Sequence, residues 1–400
     1  MSKLTAVVKT ASQGFVRLVA ATNQGMTTGV IYGSVVESDA NYLFTKVSID
    51  GLEPNTNYFI APEIDGVITN YRGRVKTPAA NAHSFSFGFA SCHSENASPS
   101  ATIWQNLAQK GASGQMNFFI HLGDIHYRDI AINDVGLFHN GMDHINTGTH
   151  LGAFFSSMPV YYMWDDHDYG PNDSDKLSPS RAAALEFFRN AVPVTPYSDD
   201  PNDGVYYSFV RGRVRFIVTD LRSERDAKTI PDTINKRTMS QEQENWFKDE
   251  CLAAQTAGQS IIWANTYPFV AAQDEFNDHW GGYSVYRQHL CDWIIANNLT
   301  SRMAIISGDM HALAYDDGSS INNILGIPVC HAAPMGVNNS TKGGPYLVPP
   351  ITDSQTQYGL MDVTDTGSGD ITFRYRGISV STSSTTETVG IDQTFTLLAD

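Results

Sequence analysis

Reactive side chains follow most of the longer apolar runs of the sequence, at the point where each run ends. Because ligands of α/β sheets bind outside the carboxyl ends of the strands, we expect these side chains to meet at one edge of a sheet. Thiol, carboxylate, phenol and imidazole groups in one place are typical of a metal site. The segments are 91–93 (Ser-Cys-His), 123–127 (Gly-Asp-Ile-His-Tyr), 165–168 (Asp-Asp-His-Asp), 220–222 (Asp-Leu-Arg), Asn265 and 308–311 (Gly-Asp-Met-His).

A structural role is the alternative for each of these residues taken alone. A lone strand-end Asp usually lies in a turn or caps a helix, and a buried Cys usually packs as a small apolar side chain. Here Gly-Asp-x-x-Tyr at 123–127, Asp-Asp-His-Asp at 165–168 and Gly-Asp-x-His at 308–311 each directly follow an apolar run. Their conjunction favours a metal site.

The elements that position these residues are predicted from the hydrophobic pattern. From residue 85 onward, apolar runs alternate with helix-like stretches, which is typical of an α/β layer architecture. The Gly- and Asn-rich segment 129–150 is predicted to be a loop or lid without a metal role. We expect strands at 85–90, 117–122, 160–164, 214–219, 260–264 and 303–307, helices at 101–109, 181–191, 241–254 and 285–296, and further strands near 358–363 and 371–375.

Residues 1–78 are predicted to form a domain of β-strands alone, because short β-prone runs are separated there by Gly, Asn and Ser. The stretch 52–58 (Leu-Glu-Pro-Asn-Thr-Asn-Tyr) resembles the turn before a late strand of a fibronectin type III-like sandwich, although any small β-sandwich would fit. Residues 79–84 are small and polar and are predicted to be a linker. The second domain is expected at 85–400.

The composition limits the classes of function. With 26 Lys and Arg against 42 Asp and Glu, the formal charge of −16 disfavours binding to nucleic-acid backbones or anionic lipid. A small anionic substrate stays open, since bound metal ions supply local positive charge. No run of about 20 apolar residues predicts a transmembrane helix, and the first residues lack the pattern of an export signal. The four cysteines include no Cys-x-x-Cys pair, and a Cys251–Cys291 disulfide stays open.

Together the motifs resemble the PhoD-like alkaline phosphatase/phosphodiesterase family, within the calcineurin-like metallophosphoesterases. The resemblance covers residues 85–350 and implies a fibronectin type III-like sandwich followed by a four-layer α/β/β/α domain, an α/β fold. Ser-Cys after the first strand and Asp-Asp-His after the third replace the Asp-x-His and Gly-Asn-His of ordinary metallophosphoesterases, which favours this branch. The motifs lie at 89–92, 121–127, 164–173, 220–222, 278–283 and 307–311.

The resemblance implies one Fe³⁺ with one or two Ca²⁺ ions. Cys92, Tyr127 and His311 would bind iron, because thiolate and phenolate are strong charged donors that favour the trivalent ion. Asp124 would bridge iron and a second metal. The second and third metals would be calcium, which prefers oxygen ligands. Their predicted ligands are Asp166, Asn172 and Asp309. Four further residues are expected to support the ligands or to contact the substrate, namely His93, His126, Asp168 and Asn265. Asn265 is also a weaker candidate for a metal ligand.

The activity implied is hydrolysis of a small phosphate ester by an alkaline phosphatase or phosphodiesterase. A metal-activated hydroxide would attack phosphorus, and His167 would protonate the leaving oxygen, because it lies beside the ligand Asp166. Asp168 would either orient that imidazole or cap a helix. Arg222 would contact phosphate or form a salt bridge with a carboxylate.

Two other functions remain open at this point. One is a phospholipase D-type phosphodiesterase with a phospholipid substrate, and the other is a non-catalytic extracellular binding protein stabilised by metals. The family resemblance favours a secreted or periplasmic location.

Overall fold

The computed structural model describes residues 2–93 and 100–400. Between residues 2 and 76 its regular secondary structure consists of β-strands. They form a two-stranded sheet, β1-β5, and a sheet of order β3-β2-β6-β7, in which β4 and β8 pair with β2 and β6. Buried side chains from both sheets, including Leu18, Ile49 and Tyr58, pack between them as in a sandwich. The strands are β1 (Ser2–Lys9), β2 (Phe15–Ala21), β3 (Ile31–Tyr32), β4 (Val36–Glu37), β5 (Phe44–Leu52), β6 (Asn57–Ile64), β7 (Val67–Ile68) and β8 (Gly73–Lys76).

From Phe85 onward, strands alternate with helices. The strands are β9 (Phe85–Ala90), β10 (Phe118–His121), β11 (Val160–Tyr162), β12 (Tyr207–Arg211), β13 (Val214–Val218), β14 (Ser260–Asn265), β15 (Met303–Ser307), β16 (Leu313–Asp316), β17 (Val329–Ala332), β18 (Val348–Ile351), β19 (Gln357–Thr364), β20 (Ile371–Val380) and β21 (Glu387–Leu397). The helices are α1 (Ser100–Ser113), α2 (Val135–Thr147), α3 (Thr149–Ser157), α4 (Asp166–Tyr169), α5 (Arg181–Ala191), α6 (Gln241–Thr256) and α7 (Ser284–Ala296).

These strands form two sheets that face each other. One has the order β11-β10-β9-β19-β20-β21 and the other β12-β13-β14-β15-β17-β16-β18. Phe87 of the first sheet meets Phe216 of the second edge to face, with ring centroids 5.2 Å apart. Along β14, Ile262 packs into the core between the sheets and Trp263 into the core under α6 and α7, because side chains alternate along a strand.

Helices cover the outer face of each sheet. Trp104 of α1 and Phe154 of α3 pack on Phe119 of the first sheet, and α6 and α7 cover the second. This gives the layers α/β/β/α and confirms the predicted fold class. Cys251 of α6 and Cys291 of α7 are both free thiols. Among the described residues, no helix combines the length and apolar character needed to cross a membrane.

The segment 129–150 was predicted to be a loop or lid, and the prediction of a loop is wrong for residues 135–147, which form helix α2. Helix α2 begins after Asp134, whose side chain accepts a hydrogen bond from the N–H of Gly136. Phe138, Met142 and Ile145 are buried along one face of this helix, at helical spacing. Glycine and asparagine weaken a helix, but here burial of that face outweighs their low propensity.

The N-terminal sheets lie against α2 and α5. The ammonium of Lys46 donates to the carbonyl oxygens of Arg189 and Val194 at 2.6 and 2.9 Å. The imidazole of His139 stacks on the ring of Tyr42 with centroids 4.3 Å apart.

Candidate metal centre

Loops at the carboxyl ends of parallel strands bring the predicted ligands together. Cys92 follows β9, and Asp124 and Tyr127 follow β10. Asp309 and His311 follow β15 in the opposite sheet. Backbone groups hold the loops to one another, since the N–H of Cys92 donates to the carbonyl oxygen of Gly123 at 3.1 Å.

Four side chains at this edge form what we call the thiol–phenol group, namely Cys92, Asp124, Tyr127 and His311. Oδ2 of Asp124 lies 3.5 Å from Sγ of Cys92 and 3.1 Å from the hydroxyl of Tyr127. That hydroxyl lies 3.3 Å from Nε2 of His311. Ligands bound to one ion at about 2.0–2.3 Å lie at such separations from each other. The group therefore has the spacing of one metal site.

The backbone is strained at three predicted ligands. Cys92, Asp124 and Asp309 have φ angles of 66°, 54° and 68°, in the left-handed region that side chains other than glycine rarely adopt. Each such residue costs about 1–3 kcal/mol, and strain of this kind concentrates at functional sites. A methyl group on Gly123 would lie 2.6 Å from Cβ of Asp165, so glycine is needed there for the loops to pack.

A second set of buried side chains forms what we call the arginine–carboxylate group, which consists of Asp165, Asp166, Asp278, Arg222 and Arg225. Nη1 and Nη2 of Arg222 donate to the two carboxylate oxygens of Asp278, each at 3.0 Å, and Nε donates to Asp165. Arg225 pairs with Asp278 at 2.5 Å. Burial alone would raise the pKa of Asp278, but the two guanidinium charges outweigh it and lower that pKa.

Several carboxylate oxygens at this edge are buried and have no hydrogen-bond partner in the described part of the chain. They are Oδ2 of Asp165, Oδ1 of Asp166 and Oδ2 of Asp309. Burial, followed by the charges of Asp166 and Asp165, raises the pKa of Asp124. Buried polar atoms normally have partners, so these oxygens fit bound cations. The residues present therefore suit metal ions.

Among residues 2–93 and 100–400, two sets of three side chains could each hold a metal ion, and within each set the three ligand atoms lie within 4.8 Å of one another. The first is Asp124, Asp166 and His167, and the second is Asp166, Asp173 and Asp278. Asn172, predicted as a ligand, is exposed, and its neighbour Asp173 donates its N–H to Oδ2 of Asp166 at 2.6 Å. The structure thus brings Asp173 into the acidic cluster at the place where the sequence indicated Asn172.

His167 lies at the accessible edge of the site, with 14% of its side chain exposed. Its Nδ1 lies 2.5 Å from Oδ1 of Asp129, and its ring rests on that of Tyr127 with centroids 4.2 Å apart. Burial alone would lower the pKa of His167, but the carboxylates of Asp166 and Asp129 outweigh it and raise that pKa. The partner of the imidazole is Asp129 and not Asp168.

Asp168 instead holds the backbone of the ligand loops. Its carboxylate accepts hydrogen bonds from the N–H of Asp124, of Ile125 at 2.7 Å and of Asp165 at 3.0 Å. Arg222 was predicted among the catalytic residues, but it has no exposed side-chain surface. Its guanidinium contacts the carboxylates of Asp165, Asp166 and Asp278 and the ring of Tyr267, which is the salt-bridge arrangement that was the second expectation for this residue.

The other predicted neighbours of the ligands are buried. Nδ1 of His93 lies 3.2 Å from the carbonyl oxygen of Ile125, and His126 has almost no exposed surface. Oδ1 of Asn265 accepts the indole N–H of Trp280 at 2.7 Å, and its Nδ2 lacks a hydrogen-bond partner in the described part of the chain. An indole nitrogen only donates, so the atom of Asn265 that faces Trp280 is its amide oxygen.

Sequence reasoning missed Asp129 and Lys342 and gave Asp278 no role. Asp129 carried a weak signal, because it follows Tyr127 by two residues. Lys342 stands in a polar stretch, Asn-Ser-Thr-Lys-Gly-Gly, that gave no signal, yet its Nζ lies 2.7 Å from Oδ1 of Asp309.

The layers and the donor set define a metallophosphoesterase. Residues 87–323 match the model of the PhoD-like phosphatase family, and the chain belongs to that family. Members of this class are metal-dependent phosphoester hydrolases. No match was found among curated proteins.

Two solved structures share this fold. The structure of PhoD is 20% identical, covers 98% of this chain and 84% of its own, and has a TM-score of 0.76. The purple acid phosphatase PPD1 from yellow lupin (Lupinus luteus) seeds is 12% identical, covers 100% of this chain and 72% of its own, and has a TM-score of 0.66. The family model confirms the predicted family, and these two structures confirm the predicted fold.

Proposed function

We propose that the protein is an alkaline phosphatase/phosphodiesterase that hydrolyses small phosphate esters with bound iron and calcium. The observation that carries this proposal is that the side chains of the thiol–phenol group lie 3.1–3.5 Å from one another. Beside them are carboxylate oxygens that accept no hydrogen bond in the described part of the chain. This arrangement has donors for metal ions and an accessible histidine at its edge.

The donor types support two kinds of metal site, one for iron and one for calcium. The thiol–phenol group would hold Fe³⁺, since thiolate and phenolate are strong charged donors. Asp166 and Asp309 would hold calcium through Oδ1 and Oδ2 respectively, which accept no hydrogen bond in the described part of the chain, although Oδ1 of Asp166 lies 3.5 Å from Nη2 of Arg222. Asp124 lies close enough to Asp166 to contribute to both sites. When bound, the ions polarise phosphoryl oxygens and lower the pKa of water at the site.

His167 is the proposed general acid. Because Asp129 engages its Nδ1, the proton for the leaving oxygen would come from Nε2. The ring of Tyr127 packs against this imidazole and limits its rotation.

Buried residues keep the ligands in place during the reaction. Arg222 fixes Asp165 and Asp278, and Asp168 fixes the backbone of Asp124. Because these groups are already oriented, little free energy is needed to reorganise them as charge develops on the phosphoryl group.

Nitrophenol release tests the proposal directly. Purified protein at mildly alkaline pH with added calcium is given p-nitrophenyl phosphate and, separately, bis(p-nitrophenyl) phosphate. We expect turnover that a chelator abolishes and that added iron and calcium restore. Absence of release from both esters by metal-loaded protein would contradict the proposal.

A further inference from the structure

The loop after β17 wraps around His311. Nδ1 of His311 lies 2.6 Å from the carbonyl oxygen of Asn338. In the opposite direction, the N–H of Ser340 and Nδ2 of Asn339 donate to the carbonyl oxygen of His311 at 3.2 and 3.3 Å. This loop is therefore built onto the ligand segment that follows β15.

The same loop is also fixed at its far end. The N–H of Gly344 donates to the carbonyl oxygen of Val270 at 2.6 Å. Gly343 has a φ of 70°, and a methyl group there would lie 2.4 Å from that oxygen, so only glycine fits. Lys342 lies between these two hydrogen-bonded segments, which fix its backbone on both sides.

Lys342 is a cation that faces the site and is also open to solvent. Its Nζ lies 2.7 Å from Oδ1 of Asp309, and 35% of its side chain is exposed, against 6% for Asp309. Arg222 and Arg225 have no exposed side-chain surface and are occupied by carboxylates. An ammonium has three N–H donors, and Asp309 takes one of them.

We propose that Lys342 binds a non-bridging phosphoryl oxygen of the substrate and makes the site favour monoesters over diesters. The inference rests on the proposed function. A phosphomonoester carries close to two negative charges at alkaline pH, since its second pKa is about 6, whereas a diester carries one. One lysine charge therefore attracts the monoester more strongly. The buried carboxylates around the site repel an anionic substrate, and a cation at the edge of the site offsets part of that repulsion.

The test compares Lys342→Gln, Lys342→Arg and a control, Lys248→Gln, whose lysine pairs with Glu244 on α6. For each protein we would measure kcat/KM for both nitrophenyl esters, the Kd of inorganic phosphate by calorimetry, and the iron and calcium content. Lys342→Gln is expected to lose about 10- to 100-fold in kcat/KM for the monoester and in phosphate affinity, which is the size of one charge-assisted hydrogen bond.

The loss of kcat/KM on the diester should be smaller than that on the monoester. Lys342→Arg should recover most of the monoester activity. The metal content of the Lys342 variants and all the measured quantities of Lys248→Gln should match the wild type. Equal losses on both esters, a fall in metal content, or an unchanged phosphate affinity would overturn the role of Lys342. Failure of the proposed function looks different, because the wild-type protein would then show no chelator-sensitive hydrolysis at all. Phosphate affinity would still report on Lys342 in that case.

Discussion

The thiol–phenol group and the arginine–carboxylate group are both buried, but they balance charge in opposite ways. In the second group, Arg222 and Arg225 supply the cations that Asp165 and Asp278 need. The first group contains no arginine or lysine, and burial together with nearby carboxylates raises the pKa of Cys92 and of Tyr127. The chain therefore supplies cations for Asp165 and Asp278 itself, whereas no member of the thiol–phenol group is an arginine or lysine.

This difference separates two kinds of role. Within the arginine–carboxylate group, Asp165 and Asp278 are expected to keep their positions without metal, because Arg222 and Arg225 pair with them, whereas Asp166 is also a proposed calcium ligand. We expect a bound cation to favour the thiol–phenol group, since metal binding requires deprotonated ligands. Variants of the two arginines and variants of the thiol–phenol group should therefore differ in whether they change stability or metal content.

The largest expected effect is at the histidine that lies between the groups. His167→Ala is expected to lower turnover by about 10²–10⁴-fold on esters with poor leaving groups, because the leaving oxygen then lacks its proton donor. The loss should be much smaller with nitrophenol as leaving group, and His289→Ala on the surface serves as control. Equal losses on both kinds of ester would assign His167 to structure.

The next effect concerns the arginine–carboxylate group. Arg222→Met leaves Asp165 and Asp278 buried with fewer partners and is expected to lower the free energy of unfolding by about 3–5 kcal/mol. Denaturant titration of the wild type and the variant measures this change. Arg374→Met, which breaks the exposed pair with Asp392, should change stability little. If the two variants are equally stable, Arg222 is not the internal cation described here.

A smaller effect should distinguish the metals. Asp166→Asn removes a charged oxygen from the proposed calcium ligands and should weaken calcium binding by about 10- to 100-fold, while iron content stays the same. Calcium titration with parallel iron analysis would measure both quantities. A parallel loss of iron would mean that the two sites do not divide as proposed.

The smallest effect is a difference in pH response. Because the pKa of Asp278 is lowered, its stabilising charge is fully present above about pH 3.9, the unfolded value, and is lost only as pH falls through the lower folded value. Protons compete with metal for the thiol–phenol group at higher pH. Stepwise acidification should therefore release metal before circular dichroism detects unfolding, and the reverse order would contradict the comparison.

Part of this site could be predicted from sequence because topology decides it. The apolar runs 85–90 and 303–307 are strands with those same bounds. In α/β sheets, the residues that follow neighbouring parallel strands lie at one edge, which brings Cys92 after β9 and Asp124 after β10 together without knowledge of side-chain packing. Asp309 follows β15 of the opposite sheet, so its approach depends on how the two sheets pack.

The remaining features depend on contacts between distant segments. Asp129 meets His167 across 38 residues, Lys342 meets Asp309 across 33, and Asp278 meets Arg222 across 56. No local pattern encodes these pairings, since they result from how loops pack on one another. The same holds for the exposure of Asn172, which the motif alone does not determine.

The measurement that tests the central claim most directly is the iron content of the wild-type protein, Cys92→Ala and Tyr127→Phe after identical metal loading. Visible absorption is recorded in parallel, and Cys251→Ala is the control for a buried free thiol elsewhere. The account predicts bound iron with a charge-transfer colour in the wild type and the control, and loss of both from the two ligand variants. Undiminished iron in Cys92→Ala and Tyr127→Phe would contradict it.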